Sequence, residues 1–173
     1  MTGFGSNFIP QRRSLSRSER SRLLIVHPLT LWEVIEDPFQ LPRWWPGVTR
    51  VEGVEQGVEG VEQARFTQVL ETKRRHTVRM DFRVLVSEAP GSGGEPSGHR
   101  AWEQDVLGTP FERVLDQSIT EVLVDPAQGG TSQVTIVQLQ KLRGYSRTGT
   151  LVMRRATNKR LDEALDALAQ AFG

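Results

Sequence analysis

The C-terminal stretch TLVMRRATNKRLDEALDALAQAFG, Thr150 to Gly173, decides how the rest of the chain is interpreted. It contains no Pro, and its one Gly is the last residue, so it predicts a single long helix. Apolar residues recur at steps of three and four in its second half and form one stripe: Leu161, Ala164, Leu165, Leu168 and Phe172. Such a stripe must pack against another element, and we expect this helix to cover a sheet.

The same face of this helix changes character toward its start. Counting back at about 100° per residue, it carries polar residues: Thr157 and Asn158, then Arg154, then Thr150. A helix that points hydroxyl, amide and guanidinium groups inward is expected to border a cavity. The alternative is that the helix begins later, near Ala156, and that the residues before it are exposed loop.

Length and composition restrict the possible classes of protein. A chain of 173 residues is typical of one domain, and no stretch approaches the roughly 20 apolar residues of a membrane span. The sequence has no Cys, which excludes disulfides, Cys-ligated metals and thiol nucleophiles and is typical of the cytoplasm. The net charge of +1 argues against a bulk nucleic-acid binder. We expect no cofactor and no specific nucleic-acid partner.

Positive charge is concentrated at the start of the chain. Residues 1–22 hold five Arg and one Glu, and they lack periodicity and any apolar run of signal-peptide length. We therefore predict a flexible Arg- and Ser-rich tail over residues 1–18 and a single domain over residues 19–173. The tail also has the composition of a transit peptide or a phosphate-binding arm. Only three of the 22 basic residues are Lys, so a general preference for Arg explains it as well.

The segment before residue 46 predicts one strand and two short helices. The run SRLLIVH, residues 21–27, is short and rich in β-prone residues. Pro28 suits the first turn of a helix, which Pro38 then ends. A second short helical piece closes before Pro46, because residues that precede Pro avoid the helical region.

The middle of the chain predicts a succession of strands. Six segments have strand character: 48–56, 61–74, 76–88, 99–108, 111–125 and 132–144. In the third of them one face is expected to carry Val78, Met80, Phe82, Val84 and Val86. After Phe111, apolar residues occur at both odd and even positions of the strand, which indicates a bulge. The predicted fold is α+β, a curved seven-stranded antiparallel sheet wrapped around the C-terminal helix.

Two segments carry a resemblance to a known family. The order of elements, DPFQLPRWWPGVTRVE at 37–52 and RRATNKRLDEALDALAQAF at 154–172 resemble the START/SRPBCC superfamily, in particular its polyketide cyclase/dehydrase-like proteins. The resemblance extends from Glu19 to Gly173 and rests on hydrophobic anchors, without a catalytic signature. It implies a helix-grip fold with a hydrophobic ligand pocket between sheet and long helix. Members of the family range from aromatase/cyclases to lipid carriers and chaperone cofactors.

Strand parity and the resemblance together predict which residues line this pocket. If Trp102 faces inward, Arg100 and Gln104 accompany it, whereas Glu103 and Asp105 face outward. One of the two adjacent tryptophans at 44 and 45 is expected to line the pocket and the other to pack in the core. The predicted ligand-binding residues are Trp44, Trp45, Phe66, Met80, Phe82, Val84, Trp102, Gln104, Phe111, Thr150, Arg154, Thr157 and Asn158.

No motif indicates metal or covalent catalysis. His27, His76 and His99 are far apart and lack a metal-binding spacing such as HExxH, and there is no GxSxG motif. Three functions remain open. They are binding of a hydrophobic lipid or polyketide-like molecule, cyclase or dehydratase chemistry, and a protein-interaction module of the ribosome- or chaperone-associated kind. In an enzyme, the polarising and proton-handling groups are expected to be Arg154, Gln104 and Glu121.

Chain direction predicts a basic rim at one end of the sheet. Consecutive turns of an antiparallel meander lie at alternate ends, so the turns at 73–76, 108–110 and 143–150 share an end. The rim gathers Lys73, Arg74, Arg75, Arg143, Arg147 and Arg154, with Trp44, Trp45 and Tyr145 beside them. It would attract an anionic ligand, an acidic carrier protein or a membrane surface, and the protein is expected to be a monomer or a homodimer. Alternatively, these arginines are solvated and have no function.

Overall fold

The computed structural model describes residues 15–58, 62–72, 74–144 and 147–172. Its strands are β1 Ser16–Leu24, β2 Val48–Glu55, β3 Arg65–Glu71, β4 Thr77–Glu88, β5 Gly98–Gln104, β6 Leu115–Pro126 and β7 Ser132–Leu142. Its α-helices are α1 Pro28–Glu36, α2 Leu41–Trp44 and α3 Arg147–Phe172. Within this part of the chain the predicted α+β fold, seven antiparallel strands and a long C-terminal helix, is confirmed.

The sheet has the strand order β1-β7-β6-β5-β4-β3-β2, and every pair is antiparallel. Strands β2 to β7 follow one another as a meander, and β1 pairs with β7. Strand β1 also contacts α3, because Arg20 and Arg22 form ion pairs with Asp162 and Asp166 of the helix. The long helix is thus attached to one edge of the sheet as well as to its concave face.

The two short helices follow from local capping. The Nδ1 atom of His27 accepts a hydrogen bond from the Leu29 amide, and Pro28 occupies the first turn of α1. The α1 helix ends at Asp37, whose carboxylate accepts from the Phe39 amide and so starts the 3-10 turn that leads to α2. These turns deliver both adjacent tryptophans to the concave side of the sheet.

The apolar stripe of α3 is buried as predicted. Leu161, Ala164, Leu165 and Leu168 are inaccessible or nearly so, and Phe172 packs against them half-buried. They share one core with α1 and with seven aliphatic residues of the sheet: Leu24, Val48, Val84, Val122, Val124, Val134 and Ile136. The helix begins at Arg147, so the alternative start near Ala156 is wrong.

The concave face of β6 and β7 changes from aliphatic to polar along each strand. The inward positions of β7 run from Val134 and Ile136 to Gln138 and Gln140, and β6 shows the same change from its valines to Thr120. The opposite face carries a small second cluster: Ile119, Val137 and Leu139, packed with Leu15 and Leu85. Both parities of these strands are therefore apolar because both faces are partly buried.

Three local predictions need correction. Strand β1 begins at Ser16 and not at Ser21, because pairing with β7 can hold polar residues in a strand. The predicted tail residues 16–18 therefore belong to the sheet, while residues 1–14 lie outside the described part. Residues 110–113 form a 3-10 turn before β6, so Phe111 is not in a strand. The bulge expected after Phe111 is present, between Leu115 and Gln117.

A second bulge interrupts the strand whose alternation looked clearest. The register between β4 and β5 shifts between Val84 and Val86, and Val86 then lies opposite Ala101. Leu85 joins the cluster on the outer face. The inward row of β4 therefore ends at Val84, and Val86 does not share its face as predicted.

None of the helices in the described part of the chain is both long enough and apolar enough to cross a bilayer.

Candidate ligand-binding site

A cavity of about 310 Å³ lies between the concave face of the sheet and the first half of α3. It occupies the region in which the inward residues of β6 and β7 have become polar. The residues that line it are Trp45, Gln68, Met80, Phe82, Trp102, Gln104, Phe111, Val114, Leu115, Ser118, Thr120, Gln138, Gln140, Leu142, Met153 and Arg160. The space exists because α3 carries no large apolar stripe over its first half to fill the curved sheet.

One wall of the cavity is aromatic. The Trp45 and Trp102 rings meet edge to face, with centroids 5.9 Å apart. Phe82 stacks on Phe66 at 5.4 Å, and Phe66 also contacts Trp102 edge to face. Such interlocked rings form a rigid apolar surface suited to a flat ligand.

The β6–β7 wall is polar, and its hydrogen bonds are made within the protein. The side-chain oxygen of Gln138 accepts from the Thr120 hydroxyl at 3.0 Å. The side-chain nitrogen of Gln138 donates to the Ser118 hydroxyl at 3.0 Å and to the Ile119 carbonyl at 3.1 Å. This glutamine is therefore a structural group that joins two strands.

Two other glutamines of the lining lack such partners. Gln68 is only 1% exposed, and neither its amide nitrogen nor its amide oxygen bonds to a described protein group. The amide nitrogen of Gln104, a residue 7% exposed, is in the same situation. Buried polar groups require partners, so whatever occupies the cavity, water or ligand, must supply them.

Arg160 brings a positive charge to the cavity. Its guanidinium carbon lies 5.4 Å from the centroid of the Trp45 ring, in cation–π geometry. The Nε atom is buried and has no hydrogen-bond partner among the described residues. Burial lowers the pKa of the Arg160 guanidinium, and the carboxylate of Glu163 opposes that shift. An Arg nonetheless stays protonated near neutral pH.

The cavity side of α3 differs by part of a turn from the predicted side. Met153 and Arg160 line the cavity, and between them the Thr157 hydroxyl donates to the Gln140 side chain at 3.4 Å. This row continues to Ala164 of the buried stripe. The predicted row continued instead from Leu161, about 100° away around the helix.

Six of the predicted ligand-binding residues line this cavity: Trp45, Met80, Phe82, Trp102, Gln104 and Phe111. Trp44 does not, because it is 1% exposed and packs in the core, as expected for one of the two tryptophans. On α3, Arg154 is exposed, and Thr150, Thr157 and Asn158 are half-buried without lining the cavity.

The remaining two predicted residues line a different cavity. Phe66 and Val84 border a second space of about 320 Å³, on the other side of the stacked Phe66–Phe82 pair. Arg100 also faces this space and donates from Nη1 to the Ser87 hydroxyl at 2.5 Å. Its inward orientation agrees with the parity inferred from Trp102.

The three candidate catalytic residues do not come together. Gln104 lines the cavity, whereas Arg154 is exposed on α3. Glu121 lies on the outer face of β6, where its Oε2 is 3.3 Å from Nε2 of His99. The outward position follows from strand parity, because Thr120 faces the cavity. Among the described residues, no cluster of three or more His, Cys, Asp or Glu could hold a metal ion.

Most of the polar residues that line the cavity were not predicted from the sequence: Gln68, Ser118, Thr120, Gln138, Gln140 and Arg160. A usable signal was present for the β7 residues, because Val134 and Ile136 share their parity with Gln138 and Gln140. On α3, Met153, Thr157 and Arg160 are spaced by four and three residues and lead to Ala164. Neither pattern stood out in the sequence, because apolar residues also occupy the opposite face of β7 and the neighbouring face of α3.

The family of the chain follows from a comparison of its sequence. A sequence model described as polyketide cyclase / dehydrase and lipid transport matches residues 17–173. The chain belongs to this family. The resemblance to START/SRPBCC polyketide cyclase-like proteins is thereby confirmed. No curated protein sequence matches the chain.

Solved structures from the same fold are similar in shape and distant in sequence. The Zhui aromatase/cyclase from Streptomyces sp. R1128 is 12% identical, with a TM-score of 0.68 over 91% of this chain and 93% of that one. A START superfamily protein from Mycobacterium smegmatis is 10% identical, with a TM-score of 0.65 over 90% of this chain and 96% of that one. At such identities the likeness establishes the fold alone.

One similar structure is longer than this chain. The di-domain ARO/CYC BexL from the BE-7585A biosynthetic pathway is 17% identical, with a TM-score of 0.68. The match covers 90% of this chain and 45% of BexL, so the chain spans less than half of that protein. Family membership therefore supports a hydrophobic ligand-binding fold and leaves the ligand to be argued from the cavity itself.

Proposed function

We propose that this protein binds a flat, hydrophobic small molecule that carries several oxygen functions, a polyketide-like compound, in the cavity between the sheet and α3. The observation that carries this proposal is the combination of an aromatic wall with two buried glutamines, Gln68 and Gln104, whose amide nitrogens find no hydrogen-bond partner in the described part of the chain.

The amides argue against a plain lipid chain as the ligand. An alkyl chain would displace water from Gln68 and offer it no hydrogen bond, which costs roughly 1–3 kcal/mol for each buried group left unpaired. Carbonyl and hydroxyl groups on a ring system can accept from both amide nitrogens and donate to the Gln68 oxygen. The Trp45 and Trp102 rings provide the apolar surface for the ring system itself.

The lining of the cavity favours ligand binding over the alternative of a protein-interaction module. Its volume of about 310 Å³ is compatible with the roughly 300–1,000 Å³ typical of small-molecule sites. A purely protein-binding member of the fold would not need an aromatic hollow with buried, unpaired polar groups directed into it.

Cyclase or dehydratase chemistry is the second candidate function. The observation that favours it is the charged Arg160 in the cavity, since a buried cation can stabilise the enolate that forms when a carbonyl compound loses a proton. In that case Arg160 and Gln104 are the groups to test. Arg154 and Glu121 lie away from the cavity.

Two measurements test the proposal. Native mass spectrometry of the purified protein should reveal a bound molecule of low mass. Titration with 1,4-dihydroxyanthraquinone should quench Trp emission at lower concentration than titration with hexadecanol. If no ligand co-purifies and neither probe changes the emission, the proposed binding function is wrong. If a ligand is incubated with the protein and is recovered with a mass lower by one water molecule, dehydration or cyclisation is assigned to the protein.

A further inference from the structure

We propose that Arg160 recognises an anionic oxygen group on the ligand, a carboxylate or an ionised enol or phenol, and that the ligand is therefore a hydroxylated aromatic acid. This inference rests on the proposed function, because it specifies the chemical class of the molecule that fills the same cavity.

The charge of Arg160 is isolated in its cavity. Of the described residues that line the cavity, Arg160 alone is charged. It forms no ion pair with any residue in the described part of the chain, although many other arginines of this protein do. Glu163 acts on it through its field only. A guanidinium that is largely withdrawn from water, with its Nε fully buried and without a counter-ion among the described residues, is costly, and a bound anion would compensate it.

Packing also orients the side chain of Arg160. Packing over the Trp45 ring restricts the guanidinium to the cavity wall, and helix α3 and residue 45 define its position from two sides. A guanidinium held in this way offers several donors in one plane, which suits the two oxygens of a carboxylate. The ring of Trp45 provides the surface on which an aromatic body attached to that carboxylate can rest.

The second cavity holds an arginine in a different electrostatic environment. Arg100 is also buried, but it donates to Ser87, and its cavity is lined by three carboxylates: Glu36, Asp37 and Glu55. An anion entering that cavity would meet negative charge. The described lining of the Arg160 cavity contains no acidic residue, so its electrostatic field favours an anion.

The neighbouring glutamine amides add further donors to the Arg160 cavity. The unpaired nitrogens of Gln68 and Gln104 are donors, as the guanidinium is, so the cavity presents a surplus of donors. The unpaired oxygen of Gln68 requires a donor in return. A molecule with an anionic group, a carbonyl and a hydroxyl on a flat body would satisfy this set.

The test compares two probes of nearly equal shape, 2-naphthoate and 2-naphthamide, by calorimetry on the wild-type protein. A charged hydrogen bond in a buried site corresponds to roughly a 10- to 100-fold gain in affinity. We expect the acid to bind more tightly than the amide by such a factor. Arg160→Met, which retains the length and the contact with Trp45, should weaken the binding of the acid much more than that of the amide and so remove this preference.

Arg155→Met is the matched control, because Arg155 is exposed on the same helix. It should keep the wild-type preference. A second variant, Arg160→Lys, should retain part of the preference, since it retains the charge. The preference should also persist at 0.5 M salt, because buried charges are screened far less than exposed ones.

The outcomes separate the two proposals. If both probes bind the wild type with equal affinity, or if Arg160→Met keeps the preference, the role of Arg160 is refuted while ligand binding stands. If neither naphthalene probe binds the folded wild type while 1,4-dihydroxyanthraquinone does, ligand binding stands and the role of Arg160 is refuted. If none of the three binds and no ligand co-purifies, both proposals fall. A preference that disappears at high salt would assign it to surface arginines and would equally refute the role of Arg160.

Discussion

The guanidinium carbon of Arg160 lies 5.4 Å from the centroid of the Trp45 ring, so that a residue of α3 covers the residue that directly follows α2. The contact places a charge and an indole side by side on the wall of one cavity. Trp44, one residue earlier, packs in the core beside α3. Two adjacent tryptophans therefore have different environments, and substitutions can distinguish them.

Replacing Trp45 with Phe should reduce the ligand-induced change in Trp emission and weaken binding several-fold, because this ring lines the cavity. Replacing Trp44 with Phe should lower the melting temperature, since it removes buried volume, but should leave affinity near that of the wild type. Fluorescence titration and thermal unfolding measure both effects. Equal loss of affinity in the two variants would mean that the cavity is bounded differently from the structure.

Replacing Leu165 with Ala should destabilise the protein by about 2–5 kcal/mol, the usual cost of a cavity left by a buried Leu. Leu165 is 3% exposed and packs in the centre of the stripe that faces the sheet. Replacing the exposed Arg155 with Ala should cost well under about 1 kcal/mol. Urea denaturation compares the two, and similar midpoints would contradict the assigned helix face.

Replacing Gln138 with Leu should lower the free energy of unfolding by about 1–3 kcal/mol. The substitution removes three hydrogen bonds and leaves Thr120, Ser118 and the Ile119 carbonyl without these partners. The same change at Gln68, which makes no bond to a described protein group, should alter stability by less than about 1 kcal/mol. Gln68→Leu should instead weaken the binding of hydroxylated ligands. A loss of stability as large as that of Gln138→Leu would show that Gln68 is structural.

The basic rim can be tested by the kinetics of association. Arg74, Arg75 and Arg154 are exposed, whereas Arg143 is paired with Asp116 at 2.5 Å. Lys73, Tyr145 and the side chain of Arg147 lie outside the described residues. A variant with Ala at 74, 75 and 154 should bind 2-naphthoate more slowly at low salt, because exposed positive charge accelerates encounter with anions.

At high salt the rim variant and the wild type should associate at the same rate, since charges further apart than about 10 Å are screened at 0.1 M salt. The neutral 2-naphthamide serves as the control probe and should be unaffected in stopped-flow measurements. If the rim variant and the wild type bind 2-naphthoate at the same association rate at low salt, these arginines have no role in ligand capture.

The sequence alone determined the order of elements and the role of the long helix. The stripe that includes Leu161 and Leu165 follows from the spacing of apolar residues along one helix, and the strands follow from alternation along each segment. These are local patterns, and each can be identified without knowledge of the partner element. The polarity of the first half of α3 was enough to predict a cavity there.

The tertiary structure alone decided which residues face that cavity. The bulge after Val84 ended an inward row that appeared continuous in the sequence. The rotation of α3 selected Arg160 and Met153 in place of Arg154, because one residue corresponds to about 100° and its setting depends on packing far along the chain. Register and rotation arise from contacts between distant segments, and for that reason the cavity could be predicted while most of its polar lining could not.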